Sequence, residues 1–365
     1  MTPGEAMRIL FVRPPTLAAH GGIETYAREL IQGIEQRGHQ IAITETEPKT
    51  VFADLRATDY WPPKPVRQRY YLWRRFAFED YRYHAALRRR TQALVHSFKP
   101  DVVHSMHVHN FGALIGLTQP SIVTANGLEV ESTLPVRGSI DAANAVHAVS
   151  AFTAGLVRDR IGTARPIHVL TWGIRALRAP AEREAEFDLV TISRMVKRKN
   201  VDTVLRALTA LPHVRYAVAG DGPELPKLKE LAAQLGLRNV TFFGAIDDDQ
   251  RRRLMERSRI FVMAPRADQY DVEGLGLVYF EATAMGVPVI GARSGGAPEA
   301  IGEAGVVLED PEGVAAMSAA IGESLAPERY RSLLAAVERR QRTASWEDFL
   351  TRFETTYRSV IARQP

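Results

Sequence analysis

Cysteine is absent from the 365 residues. That excludes disulfides, thiolate nucleophiles and cysteine-ligated zinc. No run approaches the roughly 18 apolar residues of a membrane span. The segment from Met1 to Ala6 is polar and has no signal-peptide core. The expected location is therefore the cytoplasm, with peripheral contact to the inner face of a membrane left open. Charge of one sign is not strongly in excess: the formal net charge is +5 and the pI about 9.4. This balance suits anionic ligands such as nucleoside diphosphates, or an acidic membrane surface, and does not require nucleic acid.

What is present is an ordinary globular mixture, 45% hydrophobic and 24% charged, in a chain long enough for two domains. Short apolar runs alternate with helical spacing. Met7–Arg13, bounded by Pro14 and Pro15, reads as a buried strand. Residues 22–38 repeat Ile23, Tyr26, Leu30 and Ile34 at helical intervals, with Gly38 as the stop. Further strands are expected at 40–46, 101–104, 121–125 and 145–149. Residues 173–187, rich in Ala, Arg, Glu and Pro, read as a linker. The alternation then restarts with strands at 188–192, 214–219, 240–243, 259–263 and 288–291. Helices are expected at 200–211, 224–236, 248–257, 276–285 and 296–302, then along 312–343 and 346–363. Such alternation predicts α/β architecture with two doubly wound, Rossmann-like domains. Their expected limits are 1–172 and 188–345, with a last helix in 346–365. Ligands of such sheets sit at the carboxyl ends of the strands.

Five turns at those ends carry residues suited to chemistry. His20-Gly21-Gly22-Ile23-Glu24 opens a helix whose start favours anions, but lacks the full Gly-x-Gly-x-x-Gly spacing of a nicotinamide-cofactor site. Ser193-Arg194-Met195-Val196-Lys197-Arg198-Lys199-Asn200 offers Arg194 and Lys199 as fixed cations for a diphosphate, or is a solvated basic turn. Gly220-Asp221-Gly222-Pro223-Glu224 builds a turn for its own reasons and could add a backbone contact from Gly222. Glu273-Gly-Leu-Gly-Leu-Val-Tyr-Phe-Glu281 frees its backbone at Gly274 and Gly276 before a helix from about Leu277. The amides from Gly274 through Leu275 and Gly276 to Leu277 could bind hydroxyls or phosphate. Glu281, among apolar neighbours, needs donors, and ribose hydroxyls would serve. Arg293-Ser294-Gly295-Gly296-Ala297-Pro298-Glu299 could extend a phosphate site.

Together these residues resemble family 4 of the retaining glycosyltransferases, which have the two-domain GT-B fold. The matches are Gly21-Gly22-x-Glu24, Arg194 with Lys199, Gly220-Asp221-Gly222-Pro223, Phe242-Phe243-Gly244, Glu273 with Glu281, and Gly295-Gly296-x-Pro298-Glu299. They fall in family order from about residue 8 to 310. The stretch Val272 to Ala284 is most similar to mannosyltransferases acting on phosphatidylinositol lipids.

The resemblance implies two domains facing each other across a cleft and transfer of a hexose-type sugar from a UDP- or GDP-sugar. The acceptor would be a hydroxyl of a glycan, a glycolipid or a small molecule, and neither cofactor nor metal is implied. Arg194 and Lys199 would grip the diphosphate, Glu281 the ribose and Glu273 the sugar. The Gly21-Gly22 loop would close on the phosphates. Base recognition would lie near Phe243, and the last helix would cross back to the first domain. One departure stands out: Thr124-Ala125-Asn126-Gly127-Leu128-Glu129 has Asn126 where the family often has histidine. Asparagine cannot titrate, so no general base is expected there, and the identity of the sugar stays open. A GT-B-like sugar-nucleotide epimerase and a non-catalytic nucleotide-binding protein are the alternatives.

Three further clusters have competing readings. Asp247-Asp248-Asp249 contains an Asp-x-Asp pattern but precedes a helix, where acids cap. His104, His107 and His109 could hold a metal; alternatively His107 and His109 could bind an acceptor, or the segment is a plain loop. Residues 60–90 interleave Tyr60, Trp61, Tyr70, Tyr71, Trp73, Phe76 and Phe78 with basic residues, ending in Arg88-Arg89-Arg90. That composition suits a membrane or lipid-facing surface or single-stranded nucleic acid. An amphipathic helix with core aromatics and solvated arginines explains it as well.

Overall fold

The computed structural model describes residues 5–14, 22–45, 74–127, 129–130, 133–182, 185–266 and 273–363. Contacts divide the chain into two units, Met1–Thr171 with Leu350–Pro365, and Trp172–Phe349.

The first unit holds a parallel sheet in the order β2-β1-β3-β4-β5-β6. The strands are β1 (Arg8–Val12), β2 (Gln40–Thr44), β3 (Val102–Ser105), β4 (Ser121–Ala125), β5 (Ala145–Ala148) and β6 (Ile167–Val169). Every residue of β3, β4 and β5 is buried, as expected of strands covered on both faces. The helix Gly22–Gln36 buries Tyr26, Ala27, Leu30, Ile31 and Ile34 along one stripe.

The second unit repeats the plan in the order β12-β11-β10-β7-β8-β9. Its strands are β7 (Phe187–Ile192), β8 (Tyr216–Ala219), β9 (Val240–Gly244), β10 (Ser258–Val262), β11 (Val289–Ala292) and β12 (Gly305–Leu308). The doubly wound α/β expectation is met in both units.

Three local expectations change. β6 and β12 were not anticipated; they are short outer strands, largely half-buried, whose apolar signal is correspondingly weak. The helix expected over 312–343 is two helices, Val314–Leu325 and Pro327–Thr343. Pro327 pushes Ala326 out of the helical region, to φ −59° and ψ 136°. Residues 173–187, read as a linker, group with the second unit. There Ile174 is buried, and the amides of Leu177 and Arg178 donate to the carbonyl of Ala284 at 2.8 and 3.1 Å.

Within the first unit, residues of the last helix (Trp346–Ala362) meet the sheet through a buried polar chain. Tyr357 Oη lies 2.7 Å from His104 Nδ1, His104 Nε2 lies 2.7 Å from Thr124 Oγ1, and Thr124 Oγ1 lies 3.0 Å from His147 Nδ1. His147 Nε2 lies 3.1 Å from the carbonyl of Leu170. A carbonyl only accepts, so His147 donates through Nε2. Thr124 then donates to His147, His104 donates to Thr124, and Tyr357 donates to His104. Both rings are neutral in this pattern, and burial pushes His147 down to about 4 and His104 well below the ordinary value.

In the second unit the turns after β7 and β8 are knitted together. The amide of Met195 donates to the carbonyl of Asp221 at 2.8 Å, and that of Glu224 to the carbonyl of Met195 at 3.0 Å. The approach needs glycine: Gly220 has φ +126°, and a Cβ there would lie 1.8 Å from the carbonyl oxygen of Ser193. Gly155, by contrast, lies inside the helix Ala151–Ile161 with nothing within 4 Å of a would-be Cβ. One substitution therefore has opposite signs at the two positions. Gly220→Ala should destabilise the second unit by about 3 kcal/mol or more. Gly155→Ala should stabilise the first by about 0.5–1 kcal/mol. Denaturant midpoints of the two variants test this, and equal shifts would contradict it.

Candidate functional site

The order of the second sheet defines where a ligand belongs. From β7 the chain winds outward through β8 and β9, then returns to place β10 on the other side of β7. The switch point lies between the carboxyl ends of β7 and β10, where the connections diverge and leave a crevice. The segment after β7 and the residues leading into the helix Leu277–Ala284 are the ones that meet there.

After β7, a short 3₁₀ turn, Lys197–Lys199, ends at Asn200 in the left-handed conformation, φ 60°. Asn200 is buried and donates from Nδ2 to the carbonyls of Ala264 (2.9 Å) and Pro311 (2.6 Å). The turn presents two cations to one carboxylate oxygen: Arg198 Nη1 and Lys199 Nζ each lie 2.8 Å from Oε2 of Glu273. The side chain of Glu273 is only 17% exposed. Burial alone would raise its carboxyl pKa; the charges and hydrogen bonds of Lys199 and Arg198 prevail and hold it at about 2. From the far side, the turn after β11 supports its backbone. The amide of Gly296 donates to the carbonyl of Glu273 at 2.9 Å, and the Glu273 amide donates to Ser294 Oγ at 3.5 Å.

Behind Glu273, Gly276 adopts φ +83°, and a Cβ there would lie 2.6 Å from the ring of Tyr279. Tyr279 is buried and donates to the carbonyl of Met263 at 2.6 Å, which ties the helix start to the end of β10. Leu275 is buried, while Gly274 and Leu277 are half-buried. Glu281 lies further along the helix and is bound by Arg251 Nη1 at 3.0 and 3.2 Å. The donors its apolar setting called for are thus at least partly supplied by the protein. Arg194 is exposed on the β7 loop and is not brought to Glu273. Phe243 is 40% exposed and meets Phe187 edge-on at 5.8 Å. The amide of Gly222 donates to Asp221 Oδ1 at 2.8 Å. Arg198 and Arg251 were missed in the sequence reading, because nothing local signals a partner 75 or 30 residues away.

In the first unit, Gly22 begins the helix Gly22–Gln36, and Gly21 lies outside the described residues. Asn126, just past β4, donates from Nδ2 to the carbonyl of Met106 at 3.2 Å. Its own amide and that of Gly127 donate to Glu129 Oε1. His107 is buried, with its ring stacked on His109 at 5.2 Å. His104 is taken up by the buried chain described above, so the three histidines do not act as one cluster. Among the described residues, no three His, Asp or Glu side chains are grouped to hold a metal ion. Asp247 caps the helix Asp248–Glu256, its Oδ1 accepting from the Gln250 amide at 2.7 Å while Gln250 Oε1 accepts from the Asp247 amide. Residues 60–73 of the basic aromatic stretch lie outside the described residues. The helix Arg74–Phe98 carries Arg88, Arg89 and Arg90 exposed. Among the described residues no helix is long and apolar enough to cross a membrane.

Comparison with known proteins bears on both units. Residues 175–341 match the family model described as glycosyl transferases group 1, and residues 20–176 match glycosyltransferase family 4. A GDP-mannose-dependent alpha-(1-6)-phosphatidylinositol monomannoside mannosyltransferase of Mycolicibacterium smegmatis is 36% identical over 168 residues, 44% of each chain. Its namesake from Mycobacterium tuberculosis is 33% identical over 255 residues, 62% of this chain and 65% of the relative. The chain thus matches less than two thirds of either relative's length. A phosphatidylinositol N-acetylglucosaminyltransferase component of Arabidopsis thaliana is 24% identical across 96% of this chain and 81% of its own. Among solved structures, sucrose-phosphate synthase of Thermosynechococcus elongatus superposes with a TM-score of 0.73 at 19% identity, covering 98% of this chain and 100% of its own. Anabaena HepE with UDP and glucose reaches 0.68 at 17% identity, covering 97% and 100%. At that identity these two show the fold, which is GT-B.

The ion cluster makes a pH prediction. Glu273 has a depressed pKa in the folded chain, so its stabilisation is complete above the ordinary value of 4.5 and is lost as pH falls toward about 2. At ~1.4 kcal/mol per pH unit that is roughly 3 kcal/mol. Glu273→Gln should destabilise the protein at pH 7, and the gap from wild type should narrow by more than half at pH 3. Taking the difference cancels the buried histidines, which are common to both proteins. A gap unchanged between pH 7 and pH 3, measured by denaturant unfolding, would contradict the assignment.

Proposed function

Because the chain belongs to the glycosyltransferases whose group 1 and family 4 models match it end to end over residues 20–341, we propose that it transfers a hexose from a nucleoside-diphosphate sugar to an acceptor hydroxyl, with retention and without a metal. The observation that carries this reading is the ionised Glu273 held by Arg198 and Lys199 at the switch point of the second sheet. Lys199 and Arg194 on this loop supply the positive charge that favours a diphosphate. An ionised carboxylate only accepts hydrogen bonds, and sugar hydroxyls supply them.

In this reading the diphosphate lies against Lys199 and Arg194, the sugar against Glu273, and the ribose near Glu281. As the glycosidic bond breaks through an oxocarbenium-like state, negative charge grows on the departing diphosphate. Lys199 and the amides before Leu277 stabilise that charge from fixed positions. No nucleophile is assigned; the leaving phosphate assists the incoming hydroxyl on the same face. Asn126 serves the transferred sugar, and His107 and His109 serve the acceptor. The relatives' names favour GDP-mannose as donor and an inositol-type glycolipid as acceptor; peripheral contact with the inner face of a membrane belongs to the same proposal.

Release of nucleoside diphosphate from GDP-mannose and from UDP-glucose, with and without glycolipid acceptors, tests the proposal. Acceptor-dependent release that persists in EDTA is expected. Lys199→Ala should lower turnover by about 10²–10³-fold while the protein stays folded. Near-normal turnover of a folded Lys199→Ala variant, or isomerisation of the donor without transfer, would overturn it.

A further inference from the structure

The two cations at Glu273 differ in kind, one a planar guanidinium and the other an ammonium. Both bind the same oxygen, Oε2, and among the described residues no donor is bonded to Oε1. The turn that carries them is fixed. The carbonyls of Lys197 and Arg198 accept from Arg266, at 2.8 Å from Nη1 and 2.9 Å from its amide. Arg266 is itself held by both oxygens of Asp202, at 2.7 and 3.0 Å, and by Glu312. Arg198 therefore stands on a braced turn and can set the angle of a partner. Its planar guanidinium aims a donor along a fixed direction, whereas the Lys199 ammonium is a point charge on a rotatable stem. A diphosphate would draw Lys199 toward itself and loosen its grip on Glu273.

We propose that Arg198 is a positioning residue for sugar recognition, keeping Glu273 anchored through Oε2 while Lys199 turns to the diphosphate, so that Oε1 is left to accept from a hydroxyl of the transferred sugar. This rests on the donor-site reading above and divides the two cations: Lys199 serves the leaving group, and Arg198 serves the sugar through Glu273.

Calorimetric titration of the full chain with GDP, UDP, GDP-mannose and UDP-glucose separates the roles. In Arg198→Gln, the affinity for the nucleoside diphosphate that binds wild type should stay within about threefold. Affinity for the matching sugar nucleotide should fall tenfold or more, and Arg198→Lys should recover part of it. In a Glu273→Gln background, Arg198→Gln should add nothing further, an outcome that a general loosening of the fold would not give. The double variant leaves no unpaired carboxylate, so it also serves if Arg198→Gln alone folds poorly. Equal weakening of diphosphate and sugar nucleotide would overturn the inference and make Arg198 a phosphate ligand. A loss that persists without Glu273, or a wild-type protein that binds the sugar nucleotide no more tightly than the diphosphate, would overturn it too. If the wild type binds none of the four probes, the donor-site reading itself fails and this inference with it.

Discussion

A carboxylate buried against two cations governs the second unit. Glu273 is most of the way out of water, and an unpaired charge there would cost several kcal/mol. Its ionised form persists because Arg198 and Lys199 converge on one oxygen. Their convergence depends on features farther away. The strand order opens a crevice between β7 and β10. Asn200 and Arg266 brace the cationic turn, and the turn after β11 holds the Glu273 backbone from the other side. Gly220 lets the β8 turn close against the β7 loop. Each is a local device, and each has consequences at one carboxylate.

The first unit solves a different problem with neutral groups. His104, Thr124, His147 and Tyr357 are buried and pass hydrogen bonds in a single direction to the Leu170 carbonyl. No charge is needed, and burial keeps both imidazoles neutral at ordinary pH. A histidine-rich sequence segment therefore has two fates: His104 becomes a structural link to the last helix, while His107 and His109 stack beside one another past the end of β3.

Much of the fold was legible in the chain. Strands such as β4 and β7 announce themselves as apolar runs, and Gly38, with φ +87°, stops a helix as expected. Pairing of Lys199 with the Glu273 loop was within reach too, because both lie at strand ends that a doubly wound sheet brings to one edge. What stayed hidden depends on distant partners or weak local signals. Arg198 and Arg251 look like ordinary members of basic runs until Glu273 and Glu281 fold against them. The outer strands β6 and β12 carry too few buried residues to stand out. Glu129 fills a pair of backbone amides past β4, a role that no pattern of residue types reveals.

The central claim is that a nucleotide sugar binds at the β7–β10 switch point. Amide hydrogen exchange of the full chain, with and without GDP-mannose or UDP-glucose, tests it most directly. Protection is predicted in residues 194–199 and 273–281 with one of the two donors. Binding that protects other segments while leaving these two unchanged would contradict the account.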